Sequence, residues 1–133
     1  MRICIDSFFV DLSYRYIEFA KFEIRCHEID RARVIFKYGI DNVKRQYSDS
    51  RYPFACDFYI PSEDLFIEFN RNWTHGGHPF DESNLDDIYK FEQWQEKAET
   101  SNYYKNAIYT WTDLDVRKQK CAKENNLNYK MIY

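Results

Sequence analysis

Apolar and polar positions change their rhythm several times along this chain. From residue 14 to about 38, Ile17, Ala20, Phe22, Ile24, Ala32, Ile35 and Phe36 recur among many charges at a spacing nearer helical than alternating. That rhythm predicts one or two helices, stopping near Gly39. Val43 to Tyr47 reads as a short strand, with Ser48-Asp49-Ser50 as turn chemistry after it. Phe54 to Ile60 and Leu65 to Phe69 are two runs rich in aromatic and β-branched residues, separated by Pro61-Ser-Glu-Asp64. A β-hairpin is the expectation.

Asn70 through Asn84 is polar, contains Gly76-Gly77 and ends in Ser83-Asn84, the pattern of an ordered loop that leads into a helix. That helix is expected from about Leu85 to Tyr104. Ile88, Phe91, Trp94 (or Gln95) and Ala98 fall at helical spacing, and Asp86-Asp87 sit in the first turn, where the helix dipole favours acids. Ala107 to Trp111 then reads as a strand. Thr112-x-x-Asp115 resembles a capping box that opens a helix to about Asn125, and a last strand is expected near Asn128 to Tyr133. The predicted order is α-β-β-β-α-β-α-β, an α/β (α+β) chain with a mixed sheet flanked by helices.

A length of 133 residues suits a single domain over residues 1–133, with residues 1–27 as an N-terminal extension packing on the core. Aromatic residues make up 20% of the chain, 12 Tyr, 11 Phe and 3 Trp, so a core can form without disulfides. Cys4, Cys26, Cys56 and Cys121 lie far apart with no C-x-x-C pair, which argues against a zinc ribbon and a disulfide scaffold. A reducing cytoplasm is the expected compartment. Asp6 and Asp11 interrupt the N-terminal apolar residues, so a signal peptide is not expected, and no run reaches membrane-spanning length. Phe8-Phe9 and Tyr14 to Tyr16 suit packing on the sheet or on a second copy, which leaves a homodimer open.

The net charge of -3 gives no global attraction to a polyanion, which counts against a module that only binds nucleic acid. Local basic clusters remain, at Lys44-Arg45, Arg51, Arg71 and Arg117-Lys118-x-Lys120. The last of these also reads as an ordinary solvated helix face.

Candidate chemistry centres on Asp57 and Glu68, one in each strand of the expected hairpin and each inside an apolar run. A carboxylate there is costly without a partner. The spacing allows both to point to one face near the strand ends, where two acids share a divalent metal. The bland reading makes each a strand acid facing water. Two of the three histidines, His75 and His78, follow directly around the Gly-Gly bend. Histidine titrates near neutral pH and suits proton transfer.

Pro53-x-x-x-Asp57, then ten residues, then Glu68-x-Asn70 resembles the signature of the PD-(D/E)XK, restriction-endonuclease-like nucleases. Asp57-Phe-Tyr-Ile-Pro, Phe-Ile-Glu-Phe-Asn and Trp-Thr-His-Gly are, more narrowly, similar to the very short patch repair endonucleases and to phage homing endonucleases of the E-D-x-H-D kind. The resemblance covers roughly residues 28 to 133 and implies an αβββαβ core. It further implies a metal-dependent DNA endonuclease of phage or mobile-element origin, acting in the cytoplasm of a bacterial or phage-infected cell. DNA would be its partner, with no membrane involved. Mg2+, or Mn2+, would be held by Asp57 and Glu68, and the metal would stabilise charge developing on the scissile phosphate.

The resemblance assigns His75, ahead of His78, to the neighbourhood of the scissile phosphate, and Glu28 to the acid carried by the first helix. Asn70 stands where many relatives have Lys and supplies no positive charge. Arg71-Asn72 interrupts where related sequences keep a glycine, and the structural zinc of the repair enzymes has no counterpart. Two other readings compete. One is a His-Asn-His nuclease using His75 and His78; the other is a nuclease-like module that binds DNA or assembles without cutting.

Overall fold

A computed structural model describes residues 28–133. The expectations placed on residues 1–27, including the packing of the N-terminal extension, lie outside the described residues. The chain divides into two compact units between Asp41 and Asn42. In the first, helix α1 runs through residues 28–38. It ends where Gly39, at φ +85°, donates its N–H to Ile35 O at 2.8 Å. A left-handed glycine satisfies a terminal carbonyl in this way without a Cβ penalty.

The second unit is built on a four-stranded mixed sheet in the order β1-β2-β3-β4, formed by Lys44–Asp49, Tyr52–Ile60, Leu65–Phe69 and Asn128–Ile132. The β1–β2 hairpin turns on Asp49, whose Oδ1 accepts the N–H groups of Arg51 and Tyr52 at 2.8 and 3.2 Å. The expected hairpin of β2 and β3 is present, with Phe58 opposite Ile67 and Ile60 opposite Leu65. Its turn is a 3₁₀ segment over Pro61–Glu63, followed by Asp64 in the left-handed region at φ 46°. Proline presets the first position of such a turn, and Asp tolerates the left-handed one. The Arg51 guanidinium ties both turns together, reaching Asp49 at 2.8 Å and Asp64 at 2.6 Å.

β4 pairs parallel to β3, from Leu65 opposite Asn128 to Phe69 opposite Ile132. A parallel pair needs a long crossover. Here the crossover consists of helices α2 (Leu85–Ala98), α3 (Asn102–Tyr109) and α4 (Asp115–Glu124). α2 starts at Asn84, whose side chain accepts Asp86 N–H at 3.0 Å. Among the described residues, no helix is long and apolar enough to cross a membrane.

Two differences from the sequence reading fall in this crossover. The expected helix from Leu85 to Tyr104 breaks at residues 99–101, where Ser101 adopts an extended backbone. Thr100 and Ser101 compete for backbone hydrogen bonds and favour such a break. The expected strand from Ala107 to Trp111 is helical: α3 passes without interruption through a π-helical turn, Thr110–Leu114, into α4. β-Branched Ile108, Thr110 and Thr112 favour a strand locally, but Ala107 and Trp111 are four residues apart and fully buried together with Trp94. Burial of a Trp outweighs a propensity difference of a few tenths of a kcal/mol. Thr112 therefore caps nothing; its hydroxyl bonds back to Ile108 O at 2.8 Å.

Two apolar clusters hold this unit. Tyr52, Cys56, Tyr59 and Phe66 on one sheet face pack with Ala122 of α4, and Tyr47 stacks on Tyr59 with ring centroids 4.0 Å apart. Trp94, Ala107 and Trp111 form the second, with Trp73, Phe80, Tyr104 and Ile108 against them.

Candidate active site

Asp57 and Glu68 stand one residue beyond Phe58 and Ile67, at the end of the regular β2–β3 ladder. Asp57 closes that ladder with its side chain: Oδ2 accepts Phe69 N–H at 2.8 Å, while Gln46 Nε2 donates to Oδ1 at 3.4 Å. Gln46 itself holds a left-handed backbone, φ 48°, inside β1. Non-glycine residues adopt it rarely, and such positions cluster at functional sites.

Glu68 is 2% exposed. Its Oε1 accepts the Tyr52 hydroxyl at 2.8 Å and meets Lys118 Nζ at 3.0 Å. Burial pushes the Glu68 carboxyl above the usual carboxylate range, Lys118 opposes the shift, and the nearby charge of Asp57 adds to it. That influence of Asp57 marks the two acids as electrostatic neighbours. Desolvation and the Glu68 charge likewise push the Tyr52 hydroxyl far up, and they raise the Cys56 thiol to about 12.

α4 brings further groups to the same face. Asp115 and Lys118 are three residues apart, so they lie side by side on the helix. Asp115 is 1% exposed, and its Oδ2 lies 2.6 Å from His75 Nδ1. A carboxylate at Nδ1 fixes that nitrogen as the N–H and leaves Nε2 as the basic one. The Tyr129 hydroxyl connects the two pairs: it lies 3.3 Å from Tyr52, and burial, Glu68 and Asp115 all raise its pKa. Asp115 Oδ1 and Asn70 Nδ2 are buried without a hydrogen-bond partner. Asn70, 3% exposed, extends the β3–β4 ladder through its N–H to Ile132 O at 2.6 Å. Beside it, burial pushes the Tyr133 hydroxyl up to about 12.

The loop that carries His75 is clamped onto the helices. Asn72 caps the 3₁₀ turn Trp73–His75, and Gly76 follows at φ 71° against the Trp111 ring. Trp111 Nε1 donates to His78 O at 2.8 Å, and Lys90 Nζ donates to Gly76 O at 3.0 Å. His78 turns away from His75's partner: its Nε2 lies 2.6 Å from Asp87 Oδ1, and Asp87 Oδ2 accepts Asp81 N–H at 3.0 Å. The two histidines thus engage different carboxylates on different helices, which does not favour a single metal held between them.

Of the residues singled out in the sequence, Glu68 and His75 meet α4 through Lys118 and Asp115, Asp57 follows the β2–β3 ladder opposite Glu68, Asn70 continues β3, and His78 fastens the loop. Glu28 lies on α1 in the first unit, 3.9 Å from Arg31. Sequence reasoning missed Asp115, read as a capping residue, and Lys118, read as part of a solvated basic face. Lys118 is 13% exposed against 49% for Arg117 and 71% for Lys120. The available signal was Asp115, Lys118 and Ala122 at helical spacing, an inward stripe crossing the basic run.

Two carboxylates and no soft ligand suit a hard divalent ion such as Mg2+ or Mn2+, which commonly binds one or two protein acids plus water and phosphate oxygens. Asp57 and Glu68 fit that role. No group of three or more His, Cys, Asp or Glu able to hold a metal occurs among the described residues. No protein-family model matches the chain, and no curated protein or solved structure matches it.

Proposed function

We infer that this chain is a metal-dependent endonuclease that hydrolyses phosphodiester bonds in DNA. The observation that carries the reading is the meeting of two acids at the end of the β2–β3 ladder with a His75–Asp115 pair beside them. Asp57 and Glu68 would hold Mg2+ or Mn2+, which when bound neutralises charge on a phosphate and activates water. The chain's own groups do the rest. Asp115 orients His75 and leaves Nε2 to take or give a proton. Tyr52 and Lys118 hold Glu68 through Oε1. The clamp on Trp111 fixes the loop that carries His75, as positioning to a fraction of an ångström requires. The four-stranded mixed sheet with a helical β3–β4 crossover supports the coarse α/β class that the resemblance implies.

One observation favours a second reading, a nuclease-like module that does not cut: Lys118 already neutralises Glu68. Supercoiled plasmid incubated with Mg2+ or Mn2+ separates the two. The nuclease reading expects nicked or linear product with the parent, none in EDTA, and none from folded Asp57→Asn or Glu68→Gln. A parent that neither binds Mn2+ nor converts plasmid supports the inactive module.

A further inference from the structure

We propose that Lys118 is the resident counter-ion of Glu68 and that a divalent cation entering the site displaces it, so that metal binding swings the Lys118 ammonium out toward the substrate. The inference rests on the metal-dependent reading above. Glu68 is 2% exposed, and a carboxylate so placed needs a compensating charge. Lys118 supplies it at 3.0 Å from Oε1, and its side chain is 13% exposed, so the ammonium is withdrawn from water with the carboxylate. A divalent ion on the same carboxylate would stand within a few ångströms of this ammonium. Like charges at that distance and depth repel strongly. Asp57 and Glu68 together carry two negative charges, which a divalent ion would match by itself, leaving the ammonium in excess.

The lysine is the partner able to leave. It sits on a flexible four-carbon stem, its helix neighbours Arg117 and Lys120 already reach solvent, and its three donors are satisfied equally by water or by phosphate oxygens. Leaving also delivers a positive charge beside the acids, where Asn70 has none to offer. The exchange therefore links occupation of the site to presentation of a phosphate-binding group.

The test uses the full chain at pH 8 and two measurements. Mn2+ affinity, measured by titration calorimetry, is expected to tighten at least tenfold in Lys118→Met, to stay near the parent value in Lys118→Arg, and to be lost in Glu68→Gln. Amine acetylation mapped by mass spectrometry on the unmodified chain is expected to be slow at Lys118 without metal and several-fold faster with Mg2+. Lys120 serves as the invariant internal standard. The second measurement needs no variant, so a Lys118→Met chain that fails to fold leaves the proposal testable. If Mn2+ binds through Asp57 and Glu68 but Lys118→Met binds no tighter, or if Lys118 labelling is unchanged with metal bound, the exchange is overturned and the metal site stands. If neither the parent nor Lys118→Met binds Mn2+, both fall.

Discussion

Gly76→Ala is the perturbation that best tests how the His75 loop is held. A Cβ on Gly76 would lie 2.0 Å from Trp111 Cε2 and 2.2 Å from Nε1, and the residue has φ +71°. Normal contact requires about 3.5 Å or more, so the Trp111 ring has to move by over an ångström. Trp111 is fully buried and its Nε1 donates to His78 O, so the movement also repacks Trp94 and Phe80 and breaks that bond. Overpacking costs about 1–3 kcal/mol, the left-handed backbone about 1–2 kcal/mol, and the hydrogen bond about 1 kcal/mol. The expected loss is therefore roughly 3–6 kcal/mol, or about 10–25 °C in Tm for a domain of this size.

Gly77→Ala is the built-in control: φ is +86°, but nothing lies within 4 Å of the added carbon. It should lose only the backbone preference, about 1–2 kcal/mol, partly offset by the stiffer unfolded chain. Urea unfolding followed by tryptophan fluorescence, with thermal melts by circular dichroism, measures both variants. If Gly76→Ala unfolds within about 1 kcal/mol of Gly77→Ala, the packing of this loop on Trp111 is wrong, since overpacking alone should separate them by more.

Two neighbouring carboxylates taken alone predict that deleting either relieves repulsion, but the partners of Glu68 reverse the sign there: Glu68→Ala should cost about 1–3 kcal/mol in urea titrations by leaving the buried Tyr52 hydroxyl without its acceptor and Lys118 without its counter-ion, whereas Asp57→Asn, which keeps an acceptor for Phe69 N–H, should stay within about 1 kcal/mol of the parent. Equal melts for the two variants would remove the Lys118 pair from the account. His75→Ala should slow plasmid cleavage by roughly 10²–10⁴, and His78→Ala should lower Tm while slowing cleavage less; the opposite order would exchange their roles. Arg51 first, then Tyr59, holds the Asp64 carboxyl down at about 2, so its contribution is present above the ordinary value near 3.9 and is lost as pH falls toward 2. The stability gap between the parent and Asp64→Asn should accordingly close over that window, and a gap independent of pH would count against the ion pair.

The sequence by itself determined the hairpin of β2 and β3, the start of α2 at Asn84, the last strand, and the placement of Asp57 and Glu68 as a pair. These depend on neighbours in the chain: β-branched and aromatic runs, a proline turn, a side-chain cap, and the fixed pleat of two adjacent strands. Only the tertiary structure decided that Ala107 to Trp111 is helical, because the burial of Trp111 against Trp94 overrode a local strand preference. It also decided which charges belong to the site. Asp115 and Lys118 are 47 and 50 residues beyond Glu68 in the chain, and their meaning depends on which face of α4 lies on the sheet. A basic run reads the same whether all its members meet water or one turns inward, since helical spacing places side chains relative to one another and not relative to a distant strand.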